Sequence, residues 1–196
     1  MNIEINKETL VALYGNSNSE GRKVLRTELG EKFSEILPVT DRIKTFGDAL
    51  EELGPDHEAV KSYKDIEWKL GAGQEDIKAY LKLRVITDAL NEGWRPEFIQ
   101  GERRWYAWYD LISQEDYEAL SDEEKSRCVG RSNYNADAGG GLVYSYASVA
   151  SSSSVTNYSA RHAFKSEKLA EYAAKQFIEI YADFCFRPKQ NKEEVG

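Results

Sequence analysis

The sequence predicts an α+β fold, in which N-terminal helices precede a small antiparallel sheet packed against a long central helix and a C-terminal helix. Three observations predict it. Apolar residues recur at helical spacing through the first half, as in Ile43, Phe46, Ala49, Leu50 and Leu53. After Pro96 the chain turns aromatic and β-prone in RRWYAWYDLI, then alternates in GLVYSYASV. The last third ends on Leu169, Tyr172, Ala173, Phe177 and Ile180, again at a period of 3.6.

Taken in order, NKETLVALYG reads as a helix with Asn6 as its N-cap and Gly15 as its stop. RKVLRTELGEKFSEIL is a second helical stretch interrupted at Gly30. TDRIKTFGDALEELGPD reads as one helix capped by Thr40 and halted at Gly54–Pro55. AVKSYKDIEWKLGAG gives a shorter helix with a glycine-rich end. The long central helix is expected over Asp76–Glu92. Its wide apolar arc (Ile77, Leu81, Leu83, Val85, Ile86, Leu90) calls for burial against more than one neighbour, and Gly93 and Pro96 prevent continuation.

The sheet is expected across roughly residues 103–165. RRWYAWYDLI supplies the first strand, GLVYSYASV the second, and RHAFK a short returning strand. Between the first two, Ser121 and Glu124 have capping-box spacing, which marks a surface helical insertion. ASSSSVTNYSA reads as a polar, mobile loop, with residues 148–160 a possible lid. Ser166 is the natural cap of one continuous last helix. The expected organisation is a helical segment over 1–37, a main α+β domain over 38–186 and a flexible tail over 187–196.

Composition narrows the function classes. With 196 residues, 41% hydrophobic and 31% charged, the chain suits one ordinary core. No apolar run approaches the roughly 20 residues that cross a bilayer. The start, MNIEINKETLVALYG, has neither a basic nor an apolar region of signal-peptide type, so a cytoplasmic protein with no membrane partner is expected. Cys128 and Cys185 are distant and call for no disulfide. A net charge of −8, from 34 acids against 26 bases, is a poor match for duplex DNA, whose binding draws on a surplus of cations.

His57 and His162 stand in different elements and no Cys or His pair has ligand spacing, so no metal and no cofactor is expected. DAGGGLVYS lacks the Lys-Ser/Thr of a phosphate loop and precedes a strand, so it reads as a turn. Ser151 to Ser154 with His162 lack a nucleophile elbow and an orienting third group, so they read as a solvated loop and a strand residue. Cys185, between Phe184 and Phe186, reads as buried and inert.

The aromatic cluster carries the functional expectation. Arg103, Arg104, Trp105, Tyr106, Trp108 and Tyr109 sit together, with Trp94 and Arg95 upstream and Tyr144, Tyr146 and Arg161 downstream. Arginine forks beside rings suit an anion attached to a flat apolar group. Alternation places Trp105, Ala107 and Tyr109 on one face and Tyr106 and Trp108 on the other, so about half the cluster belongs to the core.

TDRIKTFGDALEELG, AYLKLRVITDALNEGW, RRWYAWYDLI and ARHAFKSEKLAEYAAKQFIEIYADF, in this order, resemble a family of uncharacterised proteins from gut Bacteroidales phages and prophages. The resemblance spans roughly residues 38–184. It implies a mobile-element context and no particular activity.

The expected function is therefore that of a non-enzymatic binding protein. It would hold a small anionic ligand, such as a nucleotide, or a host partner protein, through Arg103, Arg104, Trp105, Tyr144 and Arg161 on the sheet. A single-stranded nucleic-acid binder using the same aromatics is the first alternative, and the net charge argues against it. A hydrolase without a recognisable motif is the second.

Overall fold

The central helix dictates the arrangement. In the computed structural model of the chain, residues 6–97, 99–129, 141–151 and 160–186 are described. The first half is helical: α1 (Lys7–Asn16), α2 (Ser19–Leu29), α3 (Glu31–Ile36), α4 (Val39–Arg42), α5 (Phe46–Leu53), α6 (Glu58–Ile66) and α7 (Glu75–Leu90). Leu81, Leu83, Val85, Ile86, Ala89 and Leu90 of α7 are all buried, and Ile77 projects into solvent. An arc this wide needs several partners, and α5, α6 and the last helix of the chain pack around it. Fully burying each such side chain contributes about 1.5–3 kcal/mol.

Local capping explains the helix ends. Asn6 Oδ1 accepts from the Thr9 N–H at 2.8 Å and Asn18 Oδ1 from the Gly21 N–H at 2.9 Å. Helix α1 runs through Gly15 to Asn16, one residue beyond the expected stop, and Gly30 separates α2 from α3 in a left-handed conformation (φ 51°). The helix expected from Thr40 is two helices. Thr45 and Asp48 form a reciprocal capping box that starts α5, while Ile43 between them is extended (φ −113°, ψ 96°). The exposed carbonyls of this break are used: Tyr172 Oη donates to Ile43 O at 2.6 Å and Gln176 Nε2 to Lys44 O at 2.7 Å.

The sheet has two strands, β1 (Arg103–Ile112) and β2 (Gly141–Ser151), paired antiparallel. Between them lie the short surface helices α8 (Gln114–Ala119) and α9 (Asp122–Lys125), and α9 starts on the Ser121–Glu124 capping box. Trp105 opposes Val149, Trp108 opposes Tyr146 and Tyr109 opposes Tyr144, so Ser145 is an extra residue on β2. Trp105 and Ala147 pack against the main core, and Tyr109 Oη donates to Ala174 O at 3.1 Å. On the opposite face Arg104 and Tyr106 are buried, and Trp108 and Tyr146 stack at 6.1 Å in the open.

The expected returning strand is a 3-10 turn (Ala160–His162) followed by a single bridge between Phe164 and Trp105. The C-terminal helix is also broken. α10 (Glu167–Gln176), capped by Ser166, stops at Phe177 (φ −117°, ψ 28°), and α11 (Ile178–Cys185) follows. Phe177 is buried at this kink, where it joins Val85, Ile86 and Phe164 in the main core. Cys185 is exposed, not buried as expected, because α11 turns its buried face, Ile178, Tyr181 and Ala182, inward and leaves Phe184 and Cys185 at the surface.

The N-terminal helices have their own small core, Leu10, Tyr14, Phe33 and Leu37, separate from the main cluster. Charged contacts join the two clusters. Lys7 pairs with Asp41, Arg22 with Glu51, and Arg26 with Glu52. Among the described residues no helix is long and apolar enough to cross a membrane. The expected 187–196 tail and most of the expected 148–160 loop lie outside the described residues. The loop's first residues, Ser148 to Ser151, belong to β2.

Candidate functional site

The sheet residues singled out from the sequence occupy different places. Arg103 is exposed at the start of β1, opposite Ser151, whereas Arg104 is fully enclosed on the other face. Trp105 is half-buried against the core. Arg161 is exposed on the 3-10 turn. Tyr144 pairs with Tyr109, four positions along β1 from Trp105, which is roughly 13 Å at strand rise. A surface ligand has no access to Arg104.

Of these five, Tyr144 lines a concave region, a groove of about 440 Å³ between β2, α9 and α10. The groove already holds a cation. Lys175 Nζ stands 5.0 Å from the centre of the Tyr144 ring and donates to Glu171 Oε1 at 2.6 Å. Burial, with Glu171 and Glu167 nearby, pushes the Tyr144 phenol above its ordinary pKa. An anion finds little support in such a place.

A second cleft, about 390 Å³, lies on the seam between the N-terminal helices and the end of α7. Arg26 from α2, Arg42 from α4, Asp88 from α7, and Trp94 and Arg95 from the segment after α7 all line it. The chain reaches Trp94 through a tight reversal in which Glu92 (φ 50°) and Gly93 (φ 88°) are both left-handed. Glycine adopts this freely, whereas glutamate at such a φ is strained by about 1–2 kcal/mol. Asn91 locks the reversal. Its Nδ2 donates to Ala163 O at 2.8 Å and its Oδ1 accepts from the Lys165 N–H at 3.0 Å.

Arg42 is the hub of the cleft. It is buried, with its guanidinium carbon 5.1 Å from the centre of the Phe33 ring. Its Nη2 donates to Glu92 Oε1 at 2.6 Å and lies 3.4 Å from Glu52 Oε1. Glu52 also takes Arg26 and accepts from Tyr14 Oη at 3.1 Å. Burial works against ionised Glu92, yet its hydrogen bonds from Lys165 and Arg42 hold the carboxyl below its ordinary pKa. The Nε atoms of Arg42 and Arg26 are buried and, among the described residues, make no hydrogen bond.

The remaining charges at the cleft are less tied. Arg95 pairs with Glu58 at 3.2 Å, with both side chains about 60% exposed. Asp88 is half-buried, and no hydrogen bond or ion pair to it is found among the described residues. Burial pushes its carboxyl above the ordinary value against the pull of His57, Arg95 and Arg84. His57 itself caps α6, its Nδ1 accepting from the Ala59 N–H at 3.3 Å.

Sequence reasoning passed over Arg42, Asp88 and Glu92. Arg42 belongs to no motif of the sequence around it. Asp88 left a legible signal, since it is an acid in the last turn of α7, where the helix dipole disfavours an anion. Among the described residues no group of three or more His, Cys, Asp or Glu is placed to hold a metal ion. No family model, curated protein or solved structure matches the chain.

Proposed function

We propose that the chain is a non-enzymatic binding protein that holds a small anionic ligand in the seam cleft. The observation that carries this reading is the convergence of Arg26, Arg42 and Arg95 on one cavity, with Arg42 buried and its Nε making no hydrogen bond among the described residues. A buried donor left unmade costs about 1–3 kcal/mol, and a ligand oxyanion can recover it where the Arg42 side chain turns toward the cavity it lines. Arg95 is the movable member. Its exposed pair with Glu58 is worth no more than about 1 kcal/mol, so an anion can take the guanidinium at little cost. The cavity has the size of a small-molecule site, for which about 300–1,000 Å³ is typical.

The reading keeps the ligand class expected from the sequence and moves it from the sheet to the seam. Calorimetry with inorganic phosphate, pyrophosphate and nucleoside monophosphates tests it. Arg95→Ala should weaken binding at least tenfold while leaving the melting temperature of the free protein within a degree or two, because Arg95 is exposed. Equal binding by wild type and variant, or no binding of any of these anions at millimolar concentration, overturns the proposal.

A further inference from the structure

We infer that the ligand of the seam cleft is a guanine nucleotide, its base read by Asp88 beside Trp94 and its phosphate held by the arginines. The inference rests on the anion-binding reading above and deepens it. Asp88 is the unusual group. A half-buried carboxylate ordinarily collects hydrogen bonds, and here no bond or ion pair to it is found among the described residues, although His57, Arg84 and Arg95 lie near enough to act on it electrostatically. It lines the same cavity as the arginines. A ligand entering that cavity meets donors for an anion on some groups and a waiting acceptor on another.

The chemistry of the acceptor selects the base. An ionised carboxylate offers two oxygens and no donor. The N1–H and the 2-amino group of guanine are adjacent donors that meet both oxygens at once. Adenine presents a single amino donor beside a ring acceptor, and that acceptor would face a carboxylate oxygen. Hypoxanthine keeps the N1–H and lacks the amino group. Trp94 adds an aromatic wall to the cavity, on which a flat base can stack. Sites built to bond a polar group reject analogues that leave it unmatched by large factors.

Calorimetry of the full chain with GMP, IMP, AMP, glutamate and inorganic phosphate tests the inference. GMP should bind at least tenfold more tightly than AMP, with IMP between them. Asp88→Asn replaces one acceptor with a donor, so it should weaken GMP at least tenfold, strengthen AMP relative to GMP, and leave inorganic phosphate bound at least as tightly as by wild type, since the cleft loses a negative charge. Equal binding of GMP and AMP by the wild type overturns the inference, as does tighter binding of glutamate than of GMP. An Asp88→Asn protein that keeps the wild-type preference also overturns it. The wild-type panel decides the matter even where the variant does not fold. Phosphate and nucleotide binding without base preference removes this inference alone, whereas no anion binding at all removes the reading beneath it.

Discussion

Arg42 and Glu92 stand 50 residues apart in the chain and meet at 2.6 Å, and Glu92 reaches that contact from a left-handed backbone (φ 50°). The contact holds the reversal after α7 against the N-terminal helices and shapes one wall of the seam cleft. A strained non-glycine residue persists only where its surroundings over-determine it. Here the side chain is fixed from two directions, by Arg42 and by Lys165 at 3.0 Å.

Two substitutions separate the backbone from the carboxylate. Glu92→Ala removes the charge partner and keeps the strain, so it should destabilise by about 1–3 kcal/mol, with Glu52 still near Arg42. Glu92→Gly removes both, and should be more stable than the alanine variant by about 1 kcal/mol. Urea unfolding of the two proteins gives the difference directly. A glycine variant less stable than the alanine one would show that the backbone at this position is unstrained.

Glu52 is the hinge between the two apolar clusters, since Tyr14, Arg26 and Arg42 all meet its carboxylate. Glu52→Ala leaves buried guanidinium groups short of a partner and should cost about 3–5 kcal/mol. The loss should not be uniform. Amide exchange is expected to rise first in α1 to α3, whose own core is only Leu10, Tyr14, Phe33 and Leu37, while α7 stays protected. Equal loss of protection in α3 and α7 would mean that the clusters unfold as one unit.

His162 gives the fold an acid limit. Its ring lies 4.8 Å from that of Tyr80 and 5.7 Å from that of Phe184. Burial, aided by Arg84 and opposed by a backbone bond at Tyr80, lowers its pKa from 6.5 to about 4. The unfolded chain gains a proton near pH 6.5 and the folded chain gains it only near pH 4. The contribution of His162 is therefore complete above about pH 6.5 and is lost as pH falls through about 4. The loss is on the order of 2–3 kcal/mol. A His162→Phe protein should show a flatter stability profile than wild type in that window, measured by denaturant unfolding at each pH. Parallel profiles would place the titration elsewhere.

Phe177 sits at the break between α10 and α11 and is buried in the main core. Phe177→Ala should cost about 3–5 kcal/mol, since both the transfer of the ring and the cavity it leaves count against the fold. Thermal unfolding checks this. A melting temperature within a degree or two of wild type would mean that the kink closes over the gap.

The α+β class, the bounds of β1 and several of the helix ends are legible in the residues alone. Asn6, Ser121 with Glu124, and Ser166 act on N–H groups three residues away, and strand alternation is a period of two, so these signals are complete within one short window. Tertiary structure decided where apparently continuous helices break. Ile43 and Phe177 both sit in the main core at these breaks, and the Ile43 carbonyl accepts from Tyr172. Tertiary structure also decided the site. Arg103 and Arg104 are neighbours in sequence, and the strand sends them to opposite faces, one exposed and one enclosed. Arg26, Arg42, Asp88 and Arg95 carry no shared local pattern, and they meet because the helices bearing them pack around one seam. Packing joins residues by proximity in space, and a single sequence records proximity only over the few residues that one turn of helix or one strand pair spans.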